Sequence, residues 1–152
     1  MSLESVRTFF AENAPDIDVL VTEQSSATVT LAAEAHGVAP EQIAKTICLR
    51  IGEEIVLLVA AGTARLSNRK FKDRFAAKPR MLDAEQVLAV TSHPVGGVCP
   101  FGLPAPVPVY CDVSLKPFDT VVPAAGATNA AVRIAPDRMA SLVKGEWVDV
   151  CE

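Results

Sequence analysis

Hydrophobic positions along the chain change period several times, and each change marks an element. Leu3, Val6 and Phe10 fall at helical spacing, so residues 3–13 are predicted to form an amphipathic helix that Pro15 ends. Ile17 to Val21 carries Asp18 between apolar residues and reads as a strand. The alanine-rich stretch Ala27 to His36 stops at Gly37, a natural helix terminator. Pro40 and Glu41 suit the first turn of a short helix. Thr46 to Ile51, a turn at Gly52-Glu53-Glu54 and the wholly apolar run Ile55 to Ala61 predict a central hairpin.

In the second half, Ser67 is placed to cap a helix over Asn68 to Phe75. Asp83 with Gln86 three residues on forms a capping box for a helix reaching about Val90. Thr91 to Pro108 is rich in Gly and Pro yet nearly free of charge, which suits a loop packed against something or shaped for a ligand. Strands are expected at Val107–Cys111, Thr120–Val122 and Val132–Ala135, with a turn at Gly126–Asn129. A final helix is expected over Pro136–Val143 and an edge strand over Trp147–Val150. Hairpins and helices without regular βαβ alternation indicate an α+β domain, a curved mixed sheet with helices outside.

Composition narrows this picture. The 152 residues are half hydrophobic, enough for one domain, 1–152, with a core that needs no disulfide or structural metal. Cys48, Cys99, Cys111 and Cys151 form no Cys-x-x-Cys pair and are not spaced with His36 or His93 as zinc ligands. No metal or cofactor is expected. The first residues lack a signal-peptide layout, and Ile55 to Ala61 is too short to span a bilayer, so a cytoplasmic protein without membrane association is expected.

The net charge of −4 argues against nucleic acid, but its distribution argues otherwise. Seven of the fourteen basic residues lie between Arg65 and Arg80, opposed only by Asp73, a local net of plus six on an otherwise acidic body. Such a stretch is either a phosphate-binding footprint, with Arg65, Arg69, Lys70 and Arg74 as candidates, or a solvated helix face.

The usual catalytic signatures are missing: no H-E-x-x-H, no G-x-S-x-G, no Walker A and no G-x-G-x-x-G after a strand. Three local features remain. Lys45, beside Thr46 at the entry to the central strand, either snorkels to solvent or aims its ammonium into a cleft. Gly96-Gly97-Val98-Cys99-Pro100 is either a tight turn or a loop whose bared N–H groups donate to a carbonyl oxygen. Gly126-Ala127-Thr128-Asn129 alone says only "turn". His93 is a candidate general base or site-lining residue, and His36 suits a helix C-terminus.

Taken together, Ile43-Ala44-Lys45-Thr46, Val95-Gly96-Gly97-Val98-Cys99-Pro100-Phe101-Gly102 and Ala125-Gly126-Ala127 resemble the YbaK/EbsC and ProX proteins, relatives of the editing domain of bacterial prolyl-tRNA synthetases. The resemblance covers nearly the whole chain. It implies that family's curved, barrel-like mixed sheet and free-standing hydrolysis of the ester on a mischarged tRNA, commonly tRNA(Pro). It also implies tRNA as partner, with prolyl-tRNA synthetase as a second candidate. In the implied mechanism Lys45 engages the terminal phosphate or ribose. N–H groups of the loop held by Gly96, Gly97 and Pro100 polarise the carbonyl, and the substrate's 2′-hydroxyl helps activate water. Ala27, Thr28, Val29, Thr46, His93, Val98, Cys99, Gly126, Ala127 and Asn129 become candidate walls of an amino-acid pocket. Asn129-Ala130-Ala131-Val132 departs from the Gly-Leu-Asp type segment of the cysteine-editing branch, which points to a small aliphatic residue such as alanine or 2-aminobutyrate. Two other readings stand beside this one: a non-catalytic aminoacyl-tRNA, nucleotide or synthetase-binding module, and a hydrolase with Cys99 as nucleophile.

Overall fold

A computed structural model describes residues 2–152. Its centre is the expected hairpin. Strand β2 (Ile43–Ile51) and strand β3 (Glu54–Ala61) pair antiparallel from Ala44↔Ala61 to Ile51↔Glu54. The two-residue loop between them places Gly52 at φ +61°, the positive value that tight hairpin loops demand. Beyond Glu54, β3 is apolar because both its faces are covered. Leu57, Val59 and Ala61 enter the main core, whereas Val56, Leu58 and Ala60 enter a second one.

The first helix, α1 (Ser2–Asn13), brings Val6 and Phe10 into the main core, where the Phe10 and Phe101 rings lie 4.7 Å apart. On the opposite face, α3 (Asn68–Phe75), capped by Ser67, packs Phe71 against Leu49, Leu58 and Val150. Helix α2 (Val29–His36) is capped by Thr28 and ends at Gly37 in the left-handed conformation; it closes a third, small cluster with Ile43, Val122 and Ala131. Helix α4 (Ala84–Thr91) has the expected Asp83–Gln86 capping box, and α5 (Pro136–Leu142) starts on its proline.

The main sheet runs β4 (Arg80–Met81), β2, β3, β5 (Val109–Asp112), β8 (Glu146–Val148). β3–β5 and β5–β8 are parallel, and β4–β2 is antiparallel. Strand β6 (Val122–Pro123) joins β2 in parallel beside Ile43 and Ala44. Strand β1 (Leu20–Val21) and strand β7 (Ala130–Ala131) form a separate two-stranded ribbon. The sheet is therefore mixed, as expected, and open, with β4 and β8 as its edges; barrel-like describes it only loosely, since nothing among the described residues pairs those edges to each other.

Several boundaries moved. β2 begins at Ile43 rather than Thr46, because residues Pro40–Gln42 make only a 3-10 turn. The expected strand at 132–135 is replaced by β7, with Ile134 retaining one bridge to Val121. β4 was not expected. All four cysteines are buried and free. Among the described residues no helix is long and apolar enough to cross a membrane, and no His, Cys, Asp and Glu group can hold a metal.

Candidate functional site

The outer edge of β2 is interrupted. β6 covers it at Ile43–Ala44 and β4 with Leu82 at Cys48–Arg50, leaving Lys45–Ile47 bare between them. The Leu82 N–H donates to the Cys48 carbonyl, so the even-numbered peptide groups of β2 turn toward this edge. Those of Thr46 consequently open into the gap. Here lies a cavity of about 300 Å³, lined largely by small apolar side chains, among them Ala27, Ala32, Ala44, Ala124 and Ala131. Lys45, Thr46 and Cys48 form its strand wall, Thr28 and Val29 one end, and Gly96 and Val98 the facing loop.

Lys45 does not snorkel. Its Nζ donates to the carbonyls of Gly62 (3.2 Å) and Ala64 (2.5 Å), and burial lowers its pKa from the ordinary lysine value. An ammonium has three N–H donors, so one remains for a ligand. Gly62 is needed for this anchorage, since a Cβ there would run into the Pro40 carbonyl and come within 2.7 Å of Val29 Cγ1. Thr46 Oγ1 is buried without a hydrogen-bond partner, a polar atom waiting for one.

The loop wall is built by backbone on backbone. Gly96 has φ +92°, and a Cβ on it would sit 2.9 Å from the Ala27 Cβ; one on Gly97 would sit 2.7 Å from Ala127 N. The Gly126 N–H donates to the Gly97 carbonyl at 2.9 Å, and the Ser26 N–H to the Thr128 carbonyl at 2.7 Å. Segments 26–28, 95–98 and 126–129, distant in sequence, are thus stacked into one wall. The Gly97 N–H is occupied by the Pro94 carbonyl at 2.9 Å, whereas those of Gly96 and Val98 have no protein acceptor among the described residues.

Of the expected site residues, Ala27, Thr28, Val29, Lys45, Thr46, Gly96 and Val98 line the cavity. Gly97, Gly126 and Ala127 buttress the wall from behind. Asn129 lies further off, its Nδ2 donating to the Thr22 carbonyl. His93, Cys99 and Pro100 do not line the cavity, because the chain leaves the core only after His93 and returns to it after Val98. His93 is fully buried with Nε2 donating to the Phe101 carbonyl at 2.8 Å, and burial lowers its pKa. Cys99 is equally buried, and desolvation pushes its thiol up to about 12. Burial therefore disfavours the thiolate that a nucleophilic role would need. Pro100 lines a different hollow, with Phe9, Leu103 and Leu142.

The basic helix is partly committed elsewhere. Lys70 pairs with Asp149 at 3.0 Å and donates to the Cys151 carbonyl at 2.9 Å, and Arg74 pairs with Glu146 while stacking on Phe75 and Tyr110. Arg65 and Arg69 make no ion pair among the described residues. Sequence reasoning missed Gly62, Ala32, Ala124 and the cavity mouth formed by Met81, Leu82 and Val87. Exposed Met81, at 70 %, and Val95, at 60 %, carried no sequence signal of their own.

The site thus sits in an open mixed sheet and sets a half-buried lysine against a glycine-built loop. Residues 23–142 match the aminoacyl-tRNA editing domain, and the chain belongs to that family. An editing role follows. Protein YwhH of Bacillus subtilis (strain 168), itself uncharacterized, is 46 % identical over all of this chain and 98 % of its own length. A crystal structure of a candidate trans-editing enzyme for prolyl tRNA synthetase superposes with a TM-score of 0.91 at 26 % identity, covering 99 % of this chain and 97 % of that one. The crystal structure of hypothetical protein APE2540 gives 0.89 at 26 % identity, covering 97 % of this chain and 99 % of that one.

Proposed function

We propose that this protein hydrolyses, in trans, the ester joining a small non-cognate amino acid to the 3′ end of a tRNA, tRNA(Pro) being the first candidate. The observation that supports it is the convergence on one small apolar cavity of an anchored lysine and a loop with two unpaired backbone donors, Gly96 N–H and Val98 N–H.

In this reading the amino-acid side chain occupies the alanine-lined space, and size excludes larger residues where a first selection step distinguishes a methylene by only about 10–200-fold. The third N–H of Lys45 holds the terminal phosphate or ribose. Thr46, through its Oγ1 and edge carbonyl, accepts from the substrate's α-ammonium. The loop donors face the ester carbonyl oxygen and its oxyanion, where one preorganised donor contributes on the order of 10²–10³ in rate. Water adds to the carbonyl carbon, the carbon–oxygen bond to the ribose breaks, and the departing ribose oxygen takes a proton. The cavity lining holds no carboxylate and no histidine, so the substrate's neighbouring 2′-hydroxyl is the fitting proton relay.

The same lack of a side-chain base also suits a non-catalytic module that binds aminoacyl-tRNA or a synthetase. A panel of mischarged tRNAs separates the two. Release of free alanine or 2-aminobutyrate from tRNA(Pro), faster than release of proline, is the expected result. Binding without release on every member refutes the enzyme and leaves the module.

A further inference from the structure

Arg50 and Arg80 stand directly opposite each other where β2 pairs with β4. The Leu82–Cys48 hydrogen bond fixes the parity of this ladder, making Arg50 and Arg80 a hydrogen-bonded pair, with Cα atoms about 5.5 Å apart and side chains on one face. Like charges so placed repel and destabilise the pairing. Neither arginine has a carboxylate within ion-pair distance: the ion pairs among the described residues are Lys70–Asp149, Arg74–Glu146 and Arg138–Asp16.

Protection of a sheet edge against pairing with other chains accounts for one cation on β4. It does not account for the second, which sits half-buried on the interior strand β2. The position of the pair suggests what it answers to. Alternation along β2 puts Arg50 on the face that carries Thr46 and Cys48, both lining the cavity, and Met81 and Leu82 follow Arg80 into the cavity mouth. The positive charge of Arg50 reaches Cys48, opposing the rise in its thiol pKa that burial causes. Helix α3, with the other concentration of basic residues, packs on the opposite face of the sheet, against Leu49 and Leu58.

We infer that Arg50 and Arg80 form a clamp for one phosphodiester of the RNA strand that enters the cavity with its 3′ end, a short run of nucleotides before the esterified one. This rests on the function proposed above. Two guanidinium forks satisfy a phosphate through paired N–H donors, and the anion between them replaces repulsion by attraction. Four residues of strand separate Arg50 from Thr46, about 13 Å, so the clamp lies along the strand outside the cavity rather than within it.

The test is equilibrium binding of an uncharged RNA hairpin ending in CCA, followed by fluorescence anisotropy across salt concentration. Arg50→Gln and Arg80→Gln should each weaken binding about tenfold and flatten the slope of log K against log salt by about 0.7–0.9. Arg69→Gln, on α3, should do neither. Without RNA both β-strand variants should melt no lower than the parent, because each removes a repulsion; that result certifies their fold. Parental affinity and slope in both variants overturn the clamp, as does a parent that fails to bind the hairpin or a larger loss in Arg69→Gln. A parent that releases amino acid from a mischarged tRNA while the variants bind normally loses the clamp alone. Variant-sensitive binding with no release from any tRNA keeps the clamp and removes the deacylase.

Discussion

The two walls of the cavity are made in different ways. The loop wall is set by backbone contacts: Gly96 against Ala27, Gly97 against Ala127, Gly126 against the Ser2 carbonyl. No side chain on it bears charge, and its chemistry is that of N–H groups held in place. The strand wall is set by alternation along β2, and its chemistry is in side chains, Lys45 and Thr46 at the gap and Arg50 beyond it. One wall therefore tolerates almost no added atom, whereas the other depends on which functional group stands at each position. Substitutions on the strand wall should remove activity with little cost to the fold, and substitutions on the loop wall should lose both together.

The largest effect is expected at Lys45. Lys45→Ala removes the anchored ammonium from a β2 position that remains hydrogen-bonded on its β3 side. Hydrolysis of a mischarged tRNA should fall by a factor on the order of 10² or more, a group that orients a bound substrate being worth that much. The melting temperature should stay within a few degrees of the parent. Undiminished turnover removes the strand wall from the chemistry.

Next comes Gly97→Ala on the other wall. The added methyl meets Ala127 N at 2.7 Å, and backbone cannot swing aside as a side chain does. The 126–129 segment must move, at a cost on the order of 1–3 kcal/mol typical of forced overpacking. Thermal melting and turnover should decline together. A variant that melts normally but is inactive would give Gly97 a direct chemical role, although its N–H already serves the Pro94 carbonyl.

A smaller effect is expected at Cys99, behind the loop wall. Cys99→Ala should preserve turnover to within about twofold and lower stability by about 1 kcal/mol, the cost of a small cavity in a packed core. Loss of activity in a folded Cys99→Ala protein would restore the thiol as nucleophile, against its burial and its pKa near 12.

The same contrast governs what was legible beforehand. Strand-wall residues announced themselves by type and position: a lysine where an apolar strand begins is visible in one sequence. What held that lysine was not, because the carbonyls of Gly62 and Ala64 carry no side-chain signature. Glycines marked two of the three loop segments, but their stacking is a tertiary fact that spacing along the chain does not encode. Proximity in sequence misled at His93, Cys99 and Pro100, where the loop turns into the core within two residues of the cavity lining. Within the charge run at 65–80 the helix over Asn68–Phe75 and its Ser67 cap are legible, yet the partners of Lys70 and Arg74, Asp149 and Glu146, lie more than seventy residues away. β4 was missed because two residues have no periodicity to read.

The last and smallest expectation concerns His93, which supports the loop wall from within the core. Its Nε2–H serves the Phe101 carbonyl, while Nδ1 is buried without a partner, so a second proton there is unfavourable. Burial lowers the pKa of His93, and that of His36 in the same direction. The unfolded chain, with histidines near about 6.5, therefore binds more protons than the folded one just below that pH. Stability contributed by the neutral rings is fully present above the unfolded value and is lost as pH falls through 6.5 toward the folded pKa. One such proton changes stability by at most about 1.4 kcal/mol per pH unit. Gln at position 93 keeps a donor for the Phe101 carbonyl but cannot titrate. Denaturant midpoints measured between pH 7.5 and 5 should thus fall less steeply in His93→Gln than in the parent, the remaining slope including the share of His36. Parallel profiles would mean that His93 takes up its proton without opening the core, and the loop wall would then be less rigid than its backbone contacts imply.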